Sequence, residues 1–407
     1  MNKTKPFAIT KRLVWEAYQR VKSNKGSAGV DGQSLAQFEE DESNNLYKLW
    51  NRLASGSYFP KPVKAVTIPK SDGTDRVLGV PTVADRIAQT VAVMVLEPEL
   101  EKVFHADSYG YRPGRSAHQA LSVTRKRCWN YDWVLEYDIR GLFDNIDHDL
   151  LFKALRRHTD EKWVLLYVER WLVAPMQCED GELLSRERGT PQGGPLSPLL
   201  ANLFLHYALD SWLARTHPGI PFCRYADDGI AHCHTLEEAQ RLLEQLGERL
   251  KECGLELHPQ KTRIVYCKDA SRELEHDEIA FDFLGYTFRP RSTMSRQGDL
   301  FVGFNPAVSR TALKKMRQSI RRWRLQLKSH LSLEELGEWV SPVVRGWLNY
   351  YGYFRASALQ LITSHLDSYL LRWAMRKFKR LKRHESRARR WLSEQKDKLP
   401  GLFPHWV

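Results

Sequence analysis

Residues 220–234 read "IPFCRYADDGIAHCH" and set two adjacent carboxylates, Asp227 and Asp228, between short apolar runs. Such flanks predict two strands, with the acids at the turn of a hairpin. Adjacent carboxylates repel, and burying them uncompensated costs several kcal/mol. A fold that keeps them needs a counter-charge. Upstream, "WVLEYDI" (133–139) predicts a strand that ends on a third acid, Asp138, and runs into "RGLFDNIDH" and a helix around 148–157. Downstream, "LEEAQRLLEQLGERLKECG" (236–254) predicts a helix, followed by strands at "RIVYC" and around 281–288. The order β-α-β-β-α-β is that of a ferredoxin-like palm. There the 133–139 strand and the hairpin lie side by side in one sheet. Asp138 and Asp227, with Asp228 adjacent, would then share a pair of Mg²⁺ ions, which take a few carboxylates plus substrate phosphates. Asp144 and Asp147, in "DNIDH", read instead as a helix-start cap.

Outward from this palm, residues 11–22 and 43–55 read as helices, separated by the turn-rich "SNKGSAGVDG" at 23–32. "VKAVTIPKSDGTDRVLGVP" reads as strand, turn and strand, with Lys70 and Arg76 on either side of "SDGT". Residues 84–104 read as a long buried helix, and 189–217 as a Gly/Pro-rich loop leading into another. From about residue 306 the chain turns helical and basic: 309–328 hold eight Lys/Arg and no acid, and 371–391 hold ten with one Glu.

Composition narrows the partner. The chain has 407 residues, 42% of them apolar, and a net charge of +13. That is enough for a large core and several domains, with a surplus that suits a polyanion, nucleic acid first. No run of about 18 apolar residues exists, so no membrane span is expected. The N-terminus lacks the apolar stretch of a signal peptide. Six scattered cysteines with no CxxC fit a reducing cytoplasm rather than a zinc or disulfide frame.

The ordered motifs "SNKGSAGVDG", "IPKSDGTDRVLGVPTVADRI", "DSYGYRPGRSAHQA", "YDIRGLFDNIDH", "GTPQGGPLSPLLANLFL", "RYADDG", "LELHPQKTRIV" and "FDFLGYTF" resemble those of group II intron-encoded reverse transcriptases (maturases). The later "VVRGWLNYYGYF" is similar to their maturase thumb. The resemblance implies an α+β right-hand polymerase: fingers and ferredoxin-like palm over 1–305, a helical thumb over 306–375, and a short basic DNA-binding segment over 376–407. It implies an RNA-directed DNA polymerase that assists splicing and retrohoming. Asp138, Asp227 and Asp228 become the acids of a two-Mg²⁺ site, with Ile139 at the metal and nucleotide and Mn²⁺ as a substitute ion.

Further roles follow at matching positions. Lys70 and Arg76 meet the triphosphate of the incoming dNTP. Phe143 packs where a ribose 2′-hydroxyl would sit, and Gln192 lies beside the nascent base pair. Lys261 protonates or stabilises the leaving pyrophosphate. Arg112 and Arg115 are template or primer contacts, and Tyr225 packs below the primer end. In the basic C-terminal region, Lys314, Arg317, Arg321, Arg322, Lys377 and Arg380 are expected at phosphates. The implied partners are group II intron RNA, an RNA template, DNA primer and target, and dNTPs, with the chain a monomer or dimer on RNA in a bacterial cytoplasmic ribonucleoprotein. The chain stops at Val407 without the Cys-rich HNH nuclease of many family members, so second-strand cleavage is not expected of it.

Overall fold

The computed structural model of the chain describes residues 5–69, 75–294 and 297–406. Contacts gather these into two compact units. The first joins Met1–Ser116, Leu135–Ala231 and Leu236–Arg263, and the second joins Ala117–Val134, His232–Thr235 and Ile264–Val407.

In the first unit, the helix Lys11–Asn24 is N-capped by Thr10 and buries Val14, Ala17, Tyr18 and Val21 at helical spacing. The short helix Leu35–Glu40 opens with a Ser34–Gln37 capping box. It escaped the sequence reading because less than two turns carry no readable period. The helix Glu42–Ser55 is close to its expected span. β1 (Val63–Pro69) pairs antiparallel with β2 (Asp75–Val80), from Lys64↔Val80 to Pro69↔Asp75. The turn between them, including Lys70, lies outside the described residues. The helix Val83–Glu101 is buried along most of its first half, as its apolar run implies.

β3 (Trp133–Asp138) is buried on both faces, which matches its unbroken apolar sequence. The two short strands β4 (Met176–Gln177) and β5 (Leu183–Leu184) extend the sheet β2-β1-β4-β5. The stretch expected as one helix after the Gly/Pro loop comes in three parts: Ser197–Leu205, a π-helical turn His206–Asp210, and Ser211–Thr216. β6 (Phe222–Tyr225) and β7 (Asp228–Cys233) form the predicted hairpin. The helix Leu236–Glu252 buries Ala239, Leu242, Leu246 and Leu250 along one face. With β8 (Arg263–Tyr266) the sheet order is β6-β7-β3-β8. Taken in order of appearance, that is second, third, first, fourth, the ferredoxin-like arrangement. β7 therefore lies beside β3, which brings Asp138 to the hairpin turn.

In the second unit, the strand expected at 281–288 is two strands. β9 (Phe281–Phe283) and β10 (Tyr286–Met294) meet at Leu284 and Gly285, whose φ values of +50° and +79° reverse the chain. β10 then pairs along its length with β11 (Leu300–Val308), so helix begins only at Arg310. The helices Arg310–Trp323, Leu333–Arg355, Gln360–Lys377 and Glu385–Lys398 share a core that includes Ile320, Leu336, Leu370 and Trp373. Residues 376–407 contribute Leu381, Ala388, Leu392, Phe403 and Trp406 to that core. Asp367 ties the chain end down: it accepts from Lys396 Nζ at 2.6 Å and from Trp406 Nε1 at 3.0 Å. All six cysteines are free thiols. Among the described residues no helix is long and apolar enough to cross a membrane.

Candidate active site

The hairpin turn is held from beneath by Arg224. β6 and β7 pair up to Tyr225↔Asp228, which leaves Ala226 and Asp227 as a two-residue turn. Ala226 takes φ +58°, the left-handed conformation such a turn requires. Arg224 has no exposed surface. Its Nε and Nη2 bond the Asp210 carboxylate at 2.7 and 2.6 Å, in a two-pronged pair. Its Nη1 donates to the Asn202 side chain and to the Ala226 carbonyl, each at 3.0 Å. Nη2 also donates to Ser108 Oγ at 2.8 Å. The guanidinium thus fixes the turn that carries Asp227. Two glycines let neighbouring groups close on this turn, backbone at one and an aromatic ring at the other. A Cβ on Gly110 would lie 2.4 Å from the Ala226 nitrogen, and one on Gly229 would lie 2.1 Å from the Tyr137 ring.

The three expected acids come together. Asp228 hydrogen-bonds Asp138, and Lys261 Nζ donates to Asp138 Oδ2 at 2.9 Å. Lys261 arrives there because the backbone of 256–258 pairs with the end of β3: Arg140 N donates to Glu256 O, and His258 N to Asp138 O, each at 2.8 Å. Burial and then the charge of Asp138 push the Asp227 carboxyl above its usual range. Burial, the charge of Asp227 and the bond to Asp138 push Asp228 up to about 8. Burial works against the Lys261 charge, but its bond to Asp138 and the nearby acids hold its pKa above the ordinary lysine value.

These shifts describe a site short of positive charge. Among the described residues no three His, Cys, Asp or Glu side chains form a ready cation cage. The donor set nevertheless fits a hard dication, because clustered carboxylate oxygens repelling one another are what Mg²⁺ or Mn²⁺ relieves. A stability prediction follows. In the metal-free protein the Asp228 pKa is raised above its unfolded value, so the folded state binds the extra proton. Stability is therefore lost as pH rises from about 4 to about 8. Asp228→Asn removes that loss. In EDTA the variant is expected to be more stable than wild type by on the order of 2 kcal/mol at pH 8, and equal to it near pH 4. Thermal melts at the two pH values check this, and an equal difference at both would refute it.

Asp138 and Asp227 open onto a cleft of about 1460 Å³, lined among others by Arg76, Phe143, Gln192 and Lys261. Ile139 also lines it, on a buried backbone. Arg76 Nε donates to Gln192 Oε1 at 2.5 Å, and Gln192 Nε2 donates to Asp144 at 3.4 Å. The hairpin of β1 and β2 and the "TPQGG" loop are joined by backbone as well, through Gly79 N to Gln192 O at 2.8 Å. Phe143 is 8% exposed, and its carbonyl accepts from Thr190 N at 2.7 Å.

The remaining expected residues sort by what they touch. Arg112 is a correction. It is buried, it bonds Glu101 through Nε and Nη2, and its Nη1 donates to the carbonyls of His105 and Ser108 at 2.7 Å. A guanidinium so occupied braces the "YGYRPG" loop instead of meeting a template. Arg115 is exposed, over the Tyr109 ring. Tyr225 is half-buried at the end of β6. In the second unit Lys314, Arg317, Arg321, Arg322 and Arg380 are exposed. Lys377 is drawn inward, its Nζ donating to the carbonyls of Ser329 and Leu331 at 3.1 and 2.5 Å.

Sequence reasoning missed the Arg224–Asp210 pair, Asp144 as a brace for Gln192, and Tyr111. Tyr111 is 54% exposed at φ +56° and lines the cleft. Burial and the Asp227 charge raise its phenol pKa. The arginine in "RYADDG" was the available signal for the buried pair, since an unbroken apolar strand rarely carries one without a partner.

Comparison with known proteins places these features. Residues 68–288 match the reverse transcriptase (RNA-dependent DNA polymerase) family, and residues 313–391 match the group II intron maturase-specific domain. Protein YkfC of Escherichia coli is 31% identical over 326 residues, 70% of this chain and 82% of that protein. The group II intron-encoded protein LtrA of Lactococcus lactis is 31% identical over 290 residues, 68% of this chain but 47% of that protein. Among solved structures, telomerase from Candida albicans aligns over 91% of this chain and 69% of its own, with a TM-score of 0.50 at 12% identity. That likeness concerns the fold alone.

Proposed function

Because the chain belongs to the reverse transcriptase family and carries a group II intron maturase-specific domain, we propose that it extends a DNA primer along an RNA template and binds a group II intron RNA to promote its splicing and mobility. The observation that carries the polymerase reading is the convergence of Asp138 and Asp227, with Asp228 against them, at the cleft that Arg76 and Gln192 line. When bound, a pair of Mg²⁺ ions, for which Mn²⁺ can substitute, supplies charge to activate the primer 3′-oxygen and stabilise the leaving pyrophosphate. The three acids would hold those ions. Arg76 faces the triphosphate and offsets charge on its oxygens, while its bond to Gln192 fixes both side chains before substrate arrives. Lys261 is charged and half-exposed. It is placed to give a proton, or its charge, to the pyrophosphate as it leaves. Intron RNA and a template–primer duplex are the partners, with the exposed cations of the second unit at their phosphates. The reading places the chain in a cytoplasmic ribonucleoprotein of a bacterium.

Primer extension with an RNA template, DNA primer, dNTPs and Mg²⁺ tests this. Extension that stops when dNTPs are replaced by rNTPs supports it, and no extension under any condition refutes it. Phe143 gives a sharper form. Its ring leaves no room for a 2′-hydroxyl, so selection against rNTPs is steric. Phe143→Ala is expected to raise kcat/KM for rNTPs relative to dNTPs by roughly 10- to 100-fold, the size of a removed side-chain clash. Competition assays check it, and unchanged discrimination would move the gate elsewhere.

A further inference from the structure

The second unit gathers three arginines around one hollow. A cavity of about 430 Å³ is lined by Arg289, Arg291, Ser292, Arg355 and Ser357. Arg289 and Arg291 lie two apart on β10 and so share one face of that strand. Arg355 closes the helix Leu333–Arg355, and its Nη1 donates to the Ser292 carbonyl at 3.3 Å. No ion pair of any of the three occurs among the described residues. Asp282, the acid paired in register with Thr287, accepts from the Thr287 hydroxyl.

Arg291 is held in place before any ligand arrives. Its Nε donates to the Asn305 carbonyl at 3.0 Å and its Nη2 to the Thr287 carbonyl at 3.1 Å. Among the described residues those bonds leave Nη1 without a partner, on a side chain that lines the cavity. Burial, then Arg289, then Arg355 push its pKa down to about 10. Three like charges converging on a concave surface without a carboxylate repel one another, and an anion seated among them reverses the sign of that interaction. A guanidinium presents paired donors that match a phosphate oxygen edge, and two serines add hydroxyl donors.

We propose that the hollow bounded by Arg289, Arg291 and Arg355 is a seat for one backbone phosphate of a bound nucleic-acid strand. A nucleic acid is favoured over a free anion because the site is open and the whole chain carries a +13 surplus. The proposal rests on the reading that the chain holds a template–primer duplex, and it assigns to that duplex a contact separate from the metal site.

The test is a fluorescence anisotropy titration of a labelled RNA-template/DNA-primer duplex with the full chain, in EDTA and without dNTPs, from 50 to 300 mM NaCl. For wild type, log K falls linearly with log salt. Arg289→Ala and Arg355→Ala are each expected to reduce that slope by about 0.7 to 0.9 and to weaken binding roughly tenfold at the lowest salt. Arg289→Lys, which keeps the charge, is expected to retain most of the slope. Circular dichroism establishes that each variant is folded. An unchanged slope in the folded Arg289→Ala/Arg355→Ala double variant overturns the proposal. So does a loss that is equal at every salt concentration. Inorganic phosphate bound in the same pocket, with the duplex slope unaltered by the variants, would overturn it in favour of a small-anion site. If wild type fails to bind the duplex at all, the polymerase reading falls first. If wild type binds and the variants match it, only this phosphate seat falls.

Discussion

Asp227→Asn is expected to lower the rate of nucleotide addition by about 10³-fold or more, the order lost when a charged group set against developing charge is removed. The size follows from where Asp227 sits. It is at the tip of a two-residue turn, half-buried beside Asp138 and Asp228. Asparagine keeps the shape and removes the charge. In the proposed mechanism the remaining acids would then hold a divalent cation less firmly, and the charge that such an ion would supply to the reaction would be lost with it. The fold is expected to survive, because replacing Asp227 relieves repulsion. The variant should therefore melt no lower than wild type in EDTA while failing in single-turnover extension with saturating dNTP and duplex. Extension within tenfold of wild type would remove Asp227 from the site. Loss of duplex binding in parallel would assign the effect to folding instead.

How much of this was legible in the sequence depended on the range of the interaction. Asp138, Asp227 and Asp228 were readable because each ends or turns a strand, and strand order then fixed which strands are neighbours. Arg76 and Gln192 were assigned separately, yet their direct bond spans 116 residues, and no local pattern announces it. The long pairing of β10 with β11 was hidden because "RPRSTM" is polar and its partner carries Gly303 and Pro306, so neither strand alternates cleanly. Arg112 was misread for a related reason. An arginine in a polar, Gly-rich loop looks solvated, and only the way the chain folds back, bringing Glu101 and the His105 and Ser108 carbonyls onto the guanidinium, shows it to be internal.

The largest stability effect is expected from the same hairpin's buried arginine. Arg224→Met should destabilise the first unit by about 3 to 5 kcal/mol, the range for breaking a buried ion pair on one side. The loss is large because Asp210 would be left buried and unpaired, and because Ser108, Asn202 and the Ala226 carbonyl each lose a donor. Burial works against the Arg224 charge, yet its attraction to Asp210 holds its pKa above the ordinary arginine value, so the pair is charged. The double variant Arg224→Met/Asp210→Leu removes both charges. It should recover much of the stability, since a buried pair stabilises a fold little more than apolar side chains of like volume. Polymerase activity should not return with it. The Ala226 carbonyl would still lack the donor that holds the turn, and a catalytic carboxylate displaced by about 1 Å already loses on the order of 10²-fold. Urea melts and primer extension on the three proteins separate the two roles. Recovery of activity together with stability would make Arg224 a matter of folding alone. Recovery of stability without activity would show that its charge is retained to aim Asp227.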